Sequence, residues 1–281
     1  MDQNIDLPNL LRSRLTMVAT LSALKAGGFL RKHFGDPISF STKPGRHNLV
    51  TEMDTQAEQM IIEFIKSHFP DHHFLAEESG ESGDNQEGIL WVIDPLDGTV
   101  NYAHQIPFFS VSVAATFQGD VLAGAVYSPM SEELFTGEKG NGAYLNGKKL
   151  KTTQTAVLDS AIIATGLPYN VTENPLCCLE HFTKFARMGV PIRRIGSAAL
   201  DLAYIAAGRF DMFWEVALRP WDYAAAKLFI EESGGRITDF SGKPLDKLQV
   251  GPIIASNGIL HDQTVKHIQG TLQKFATNEA P

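Results

Sequence analysis

The sequence predicts a mixed α+β chain in two packed halves: helices over a mainly antiparallel sheet, then a smaller layered α/β half. Three observations carry this. Two long helical patterns open the chain. Strand-like runs separated by short turns fill residues 89–149. Beyond Lys151, helical and strand patterns alternate, as they do where strands run partly parallel. No low-complexity linker and no repeat intervenes. A soft boundary therefore falls near residue 150, between halves 1–150 and 151–281 that pack rigidly.

Leu7, Leu11, Leu15, Val18, Leu21 and Leu24 recur at helical spacing, with Pro8 at the first turn and Gly27-Gly28 late. Residues 42–48, rich in Lys, Pro, Gly and Arg, read as a loop. A second helix follows Asp54, with Ala57, Met60, Ile61, Phe64 and Ile65 on one face and Pro70 beyond its end. Strands are expected at 89–93, 108–117, 121–127 and 133–136. Asn141-Gly142 and Asn146-Gly147 are hairpin signals. In the second half, helices at 176–188, 198–207 and 223–232 alternate with strands at 192–195, 210–216, 236–238 and 253–256. Residues 142–149 nearly fit a phosphate-binding P-loop. The last position is Lys149 rather than Ser or Thr, so the hairpin is the better reading.

The chain has 281 residues, 24 basic and 32 acidic, and a net charge of −8. That argues against a general nucleic-acid or anionic-membrane surface. A small anionic substrate stays open, because a local cation reverses the field of one cleft. The two cysteines, Cys177 and Cys178, are adjacent and read as buried thiols of a reducing cytosol. The first residues lack the basic and apolar regions of a signal peptide, and no apolar run approaches the ~18 residues of a membrane span. A cytoplasmic protein is expected.

One motif dominates: Asp94-Pro95-Leu96-Asp97-Gly98-Thr99, at the mouth of the apolar strand 89–93. Average residue frequencies put a chance match at roughly one in a few thousand chains of this size. Two acids there repel each other and are costly to bury, so the pair persists most easily around a cation. Proline restrains the expected turn, and Gly98 lets backbone approach a ligand. Three further acids stand out. Glu77-Glu78-Ser79 comes soon after the apolar pair Phe74-Leu75, Asp54 opens the second helix, and Asp222 opens another after Trp221. Taken singly, each is explained by a helix cap or a solvated loop.

Taken together, these motifs resemble the inositol monophosphatase family of metal-dependent phosphatases. The resemblance rests on Ala76-Glu77-Glu78-Ser79, on the stretch from Trp91 through Asp94-Pro95-Leu96-Asp97-Gly98-Thr99 to Tyr102, and on Trp221-Asp222-Tyr223-Ala224-Ala225. Asn48 to Asp54 and Gly196-Ser197-Ala198-Ala199 support it, over about residues 8–268. It implies an αβαβα sandwich working as one integrated catalytic unit, with two to three Mg²⁺ ions at the junction of the halves. Glu77, Asp94 and the Leu96 carbonyl would hold a first ion. Asp94, Asp97 and Asp222 would hold a second, and a third would lean on Glu77 through water. Oxygen-only donors suit Mg²⁺ and not zinc. Thr99, hydrogen-bonded to Asp54, would orient or activate the attacking water. The Gly98 and Thr99 amides would face the phosphate, and Lys43 matches a lysine on a mobile loop.

For substrate, the resemblance places Glu215 and Ala198 near a sugar-like ring, with Arg193 or Arg194 reaching another part. A carboxylate acceptor rewards a polyol. The expected reaction is hydrolysis of myo-inositol monophosphate, with lithium sensitivity and a homodimer implied by the family. Fructose 1,6-bisphosphate, histidinol phosphate and 3'-phosphoadenosine 5'-phosphate are alternatives served by the same catalytic residues. A non-catalytic scaffold or regulator binding protein or RNA is the alternative of another class. The intact acids argue against it. Val100 replaces a threonine common in the family and touches no ligand position.

Overall fold

The computed structural model describes residues 9–37, 40–42, 49–82 and 88–278. Lys43 lies outside the described residues. The first helix, α1 (Asn9–Lys32), runs straight through Gly27-Gly28 instead of stopping there. The reason is packing. A Cβ on Gly27 would stand 2.4 Å from the Tyr127 ring, so glycine is what lets the helix lie against the sheet. A short antiparallel pair, β1 (Phe40–Thr42) and β2 (Leu49–Thr51), leads into α2 (Glu52–His68), which buries Ala57, Ile61 and Ile65.

An eight-stranded sheet follows. Its strands are β3 (His73–Ala76), β4 (Gly80–Ser82), β5 (Ile89–Asp97), β6 (Ser110–Phe117), β7 (Asp120–Ser128), β8 (Glu133–Glu138), β9 (Gly142–Leu145) and β10 (Lys148–Lys149). The five-residue helix α3 (Thr99–Ala103) sits between β5 and β6. Spatial order is β10-β9-β8-β7-β6-β5-β3-β4, antiparallel throughout except for the parallel pair β3 and β5. Asn146 and Gly147 both adopt positive φ between β9 and β10, so the P-loop look-alike is a hairpin.

The second half supplies β11 (Ile163–Thr165), α4 (Cys178–Arg187), β12 (Ile192–Arg193), α5 (Ala198–Ala206), β13 (Met212–Leu218), α6 (Pro220–Glu232), β14 (Arg236–Thr238), β15 (Gly251–Ser256) and α7 (His261–Asn278). Its sheet runs β12-β11-β13-β15-β14; the first three strands are parallel and the other pairings antiparallel. Several expectations shift. The strand at 108–117 starts at Ser110, the one at 192–195 shrinks to two residues, and a 3₁₀ turn at Pro175–Cys177 precedes α4.

Side-chain alternation stacks these parts into five layers. On β5, Trp91 and Ile93 pack under α1 and α2, whereas Val92 faces α5 and α6. On β13, Phe213 faces the same middle helices, and Met212, Trp214 and Val216 face α4 and α7. The order is therefore αβαβα. The middle layer comes wholly from the second half, and α6 lies so close to the first sheet that a Cβ on Gly124 would meet the Ala225 backbone at 3.1 Å.

The outer layer carries a pH signature. His181 is fully buried, with its ring 5.4 Å from that of Trp214 and 5.6 Å from that of Phe240. Burial pushes its imidazole from 6.5 down to about 4, and His261 and His267 are lowered to about 4 in the same way. Between those values the unfolded chain takes up protons that the folded chain refuses. The part of stability that these rings carry is fully present above pH 6.5 and is lost as pH drops toward about 4. The difference in urea midpoint between the wild type and His181→Leu isolates it, because other titrating groups are common to both: the difference shifts against the wild type on going from about pH 7.5 to about pH 5. A difference that is the same at both pH values refutes it.

Candidate active site

The site grows from strand registers. In the parallel pair, Ala76 stands beside Ile93, so the next residues, Glu77 just past β3 and Asp94 within β5, stand at one level. The Glu77 amide donates to the Ile93 carbonyl at 3.2 Å. The loop after it is clamped from α2. Glu58, buried one turn beyond Asp54, accepts from the Glu78 and Ser79 amides at 2.8 and 2.9 Å.

The expected turn at Asp94-Pro95-Leu96-Asp97 is instead a bulge within β5. Asp94 pairs with Ser112 and Asp97 with Ser110, so β5 spends one residue more than β6 between these points. In a regular strand, residues three apart point to opposite faces; one extra residue restores them to the same face. Pro95 has no amide to donate, which suits it to a break in the ladder. Both acids thus face the middle helices. Asp94 Oδ1 accepts from the Leu96 amide at 3.0 Å. Asp97 accepts from the Ser197 hydroxyl and from the Ala198 and Ala199 amides at 3.3 and 2.8 Å, at the start of α5. That carboxylate joins the first sheet to a helix of the second half.

Asp222 arrives on the first turn of α6, where Pro220 begins the helix. Its Oδ2 accepts from the Arg219 amide at 2.6 Å. Ser112, the partner of Asp94 on β6, donates to the Trp221 carbonyl at 3.2 Å and fixes that turn over the strand. Asp54 occupies the third position of α2, capped by Thr51. Its Oδ2 takes the Thr51 amide at 2.8 Å, and its Oδ1 lies 3.0 Å from the Thr99 hydroxyl. The Thr99 hydroxyl is also 3.1 Å from the Leu96 carbonyl, and its one proton serves either acceptor. Gly98, with φ at +99°, introduces α3; a Cβ there would press on the Gly196 and Phe108 carbonyls at 3.1 Å.

Electrostatics shows the convergence. Burial raises Asp94 and Asp222 well above the usual carboxylate range, and the charges of neighbouring acids add to it: Glu77, Asp97 and Asp222 for Asp94, and Asp97, Glu77 and Glu215 for Asp222. Burial also lifts Asp97 and Asp54 to about 6, against hydrogen bonds that pull them down. Among the described residues, no three His, Cys, Asp or Glu side chains form a ready-made metal cage. Like charges held apart by repulsion do not need to. A hard cation that keeps several of its waters needs only one or two direct carboxylates. The donor set, all carboxylate and carbonyl oxygen, fits Mg²⁺ and offers no nitrogen or sulfur for zinc.

Ala198 lies at the first position of α5, and Glu215 midway along β13. Burial raises Glu215 to about 7. Several residues here escape sequence reasoning. Glu58 was legible as the i+4 neighbour of Asp54. Asp201 is the sole charged residue of a buried helix; it is 2% exposed and its Oδ1 has no hydrogen-bond partner. Tyr169 gave no signal and is 54% exposed, yet desolvation of its phenol, with the charges of Glu77, Asp97, Asp222 and Asp94, pushes it up to about 12. Asn101 spans the junction, donating to the Phe108 and Ile195 carbonyls at 2.7 and 2.9 Å.

The model of the inositol monophosphatase family matches residues 11–273. The chain belongs to that family of phosphatases. The Nus factor SuhB of Escherichia coli (strain K12) is 41% identical over 241 residues, covering 85% of this chain and 90% of its own. The inositol-1-monophosphatase of Synechocystis is 38% identical over 264 residues, covering 92% and 90%. The solved inositol monophosphatase of Anabaena superposes with a TM-score of 0.80 at 37% identity, over 93% of this chain and 97% of that one. An IMPase/NADP phosphatase solved with Mg²⁺ and phosphate gives 0.79 at 26% identity, over 92% and 96%. The shared fold is the layered sandwich described above. Among the described residues, no helix is long and apolar enough to cross a membrane.

The junction gives a direct stability test. Asn101→Ala removes the hydrogen bonds to the Phe108 and Ile195 carbonyls and costs about 1 kcal/mol, read as a lower urea midpoint. An unchanged midpoint would show that the bridge carries nothing.

Proposed function

We propose that this chain hydrolyses a phosphate monoester with Mg²⁺, most readily myo-inositol monophosphate. The observation behind this reading is the meeting of Glu77, Asp94, Asp97 and Asp222 beside the Thr99–Asp54 hydrogen bond. In the proposal, Glu77, Asp94 and the Leu96 carbonyl hold one ion and Asp94, Asp97 and Asp222 a second, with a third more weakly held. Bound ions would neutralise the phosphate dianion, acidify a water and steady the departing alkoxide. The protein's own part is positional. Asp54 takes the Thr99 proton, which leaves the Thr99 oxygen to accept from, and so orient, a water. The Gly98 and Thr99 amides open α3 toward the phosphate. Glu58 fixes the loop of Glu77. Glu215 receives hydroxyls of the polyol near Ala198. The resemblance extends the proposal to a cytoplasmic homodimer.

A second reading, as a regulator that binds protein or RNA, draws support from the name of the Escherichia coli relative. The two readings part at Asp94→Asn. Catalysis as the main role predicts a loss of phosphate release of roughly a thousandfold, in line with several kcal/mol of lost charge stabilisation. Cellular function that survives this substitution intact would favour the regulator. Side-by-side assays on inositol, fructose, histidinol and adenosine phosphates settle the substrate. A large preference for a non-inositol ester overturns the inositol assignment.

Lithium is expected to inhibit by replacing the weakly held Mg²⁺. Phosphate release measured across a lithium series, at fixed Mg²⁺, checks this. A flat response would remove the third ion from the proposal.

A further inference from the structure

We propose that Gly166 is a specificity-determining position: its missing side chain makes the berth in which the Glu215 carboxylate waits for substrate hydroxyls. This rests on the polyol reading above.

The placement follows from topology. Strands β11 and β13 are parallel neighbours whose last paired residues are Thr165 and Trp214. One step further stand Gly166, just past the end of β11, and Glu215, midway along β13, side by side where the pairing of the two strands stops. The chain leaves β11 for α4 on the outer face, and leaves β13 for α6 in the middle layer. Adjacent parallel strands whose connections depart to opposite faces open a crevice at their carboxyl ends, and ligands bind in such crevices.

The glycine is shaped to its neighbour. A Cβ at position 166 would lie 2.0 Å from Glu215 Oε2, 2.5 Å from Cδ and 2.7 Å from Oε1, and these are the three nearest atoms to it. No other group crowds that space as closely. Gly166 is not among the residues with positive φ, so its backbone accepts alanine without strain. What alanine meets first is the far end of the flexible Glu215 side chain. That end has spare acceptor capacity. Among the described residues, nothing donates a hydrogen bond to the Glu215 carboxylate. Asp201, whose Oδ1 has no partner among the described residues, lies near enough for the Glu215 charge to raise its cost. Glu215 itself is half-buried, so a ligand can reach its carboxylate, and a polyol's hydroxyls can donate to it. The sequence reason for glycine here is therefore clearance for a neighbouring carboxylate, not chain flexibility.

The test compares myo-inositol 1-phosphate with p-nitrophenyl phosphate, which has no hydroxyl to offer, in the wild type, Gly166→Ala, Glu215→Ala and the double variant. The expected result is a rise in KM for inositol phosphate of roughly tenfold in Gly166→Ala, the scale of one lost charged hydrogen bond. Its kcat/KM for p-nitrophenyl phosphate stays within about twofold, and the double variant is no worse on inositol phosphate than Glu215→Ala. An unchanged KM in Gly166→Ala overturns the proposal. So do an equal loss on both substrates and losses that multiply in the double variant. In those cases a wild type that prefers inositol phosphate leaves the polyol reading standing. A wild type with no preference between the two substrates brings that reading down first, and this proposal with it.

Discussion

Four carboxyls that repel one another, two of them buried and two half-buried, set the terms for this molecule. Glu77, Asp94, Asp97 and Asp222 come from three separate stretches of chain, and bringing them together costs free energy that folding must find elsewhere. The fold meets this cost with donors rather than counter-charges. Backbone amides of Leu96, Ala198, Ala199 and Arg219 point at carboxylate oxygens, as does the Ser197 hydroxyl. Such donors stabilise the charged form without cancelling it. What remains is a concentration of negative charge that a divalent cation complements and a bare phosphate does not.

The scaffold aims these groups by simple registers. A parallel pair within an otherwise antiparallel sheet sets Glu77, just past β3, level with Asp94 inside β5. A single extra residue at Pro95-Leu96 turns Asp97 to the same face. Asp97 then receives the start of α5, and Ser112 holds the start of α6, so two helices of the second half dock on the same strand ends. Assembly of the centre and joining of the halves are one event.

Much of this was legible in the sequence, and the failures have physical causes. The motif at Asp94-Pro95-Leu96-Asp97-Gly98-Thr99 and the acids at Glu77, Asp54 and Asp222 pointed to one centre because, although each alone has a bland explanation, their order and spacing together resemble the family's motifs. The αβαβα order came from the family resemblance, not from periodicity, since α5 and α6 must be placed between sheets that no local pattern reveals. Helix α7 went unseen because its buried side includes His261, Thr264 and Thr271, whose polarity masks the apolar stripe. Strands β3 and β11 are four and three residues long, too short for alternation to show. Gly27-Gly28 read as a helix end because sequence cannot show a Tyr127 ring pressed against the helix flank.

The division of labour between the two sheets has an evolutionary corollary. The acids proposed to hold ions sit mostly on the first sheet, two of them flanking a bulge. The groups proposed to face the organic part of the substrate, Gly166 and Glu215, sit just past β11 and midway along β13, on separate strands of the other sheet. Drift in that second set can retune what is dephosphorylated while the hydrolytic apparatus stays untouched. One scaffold can in this way diversify across many esters by editing a few positions at a crevice rim.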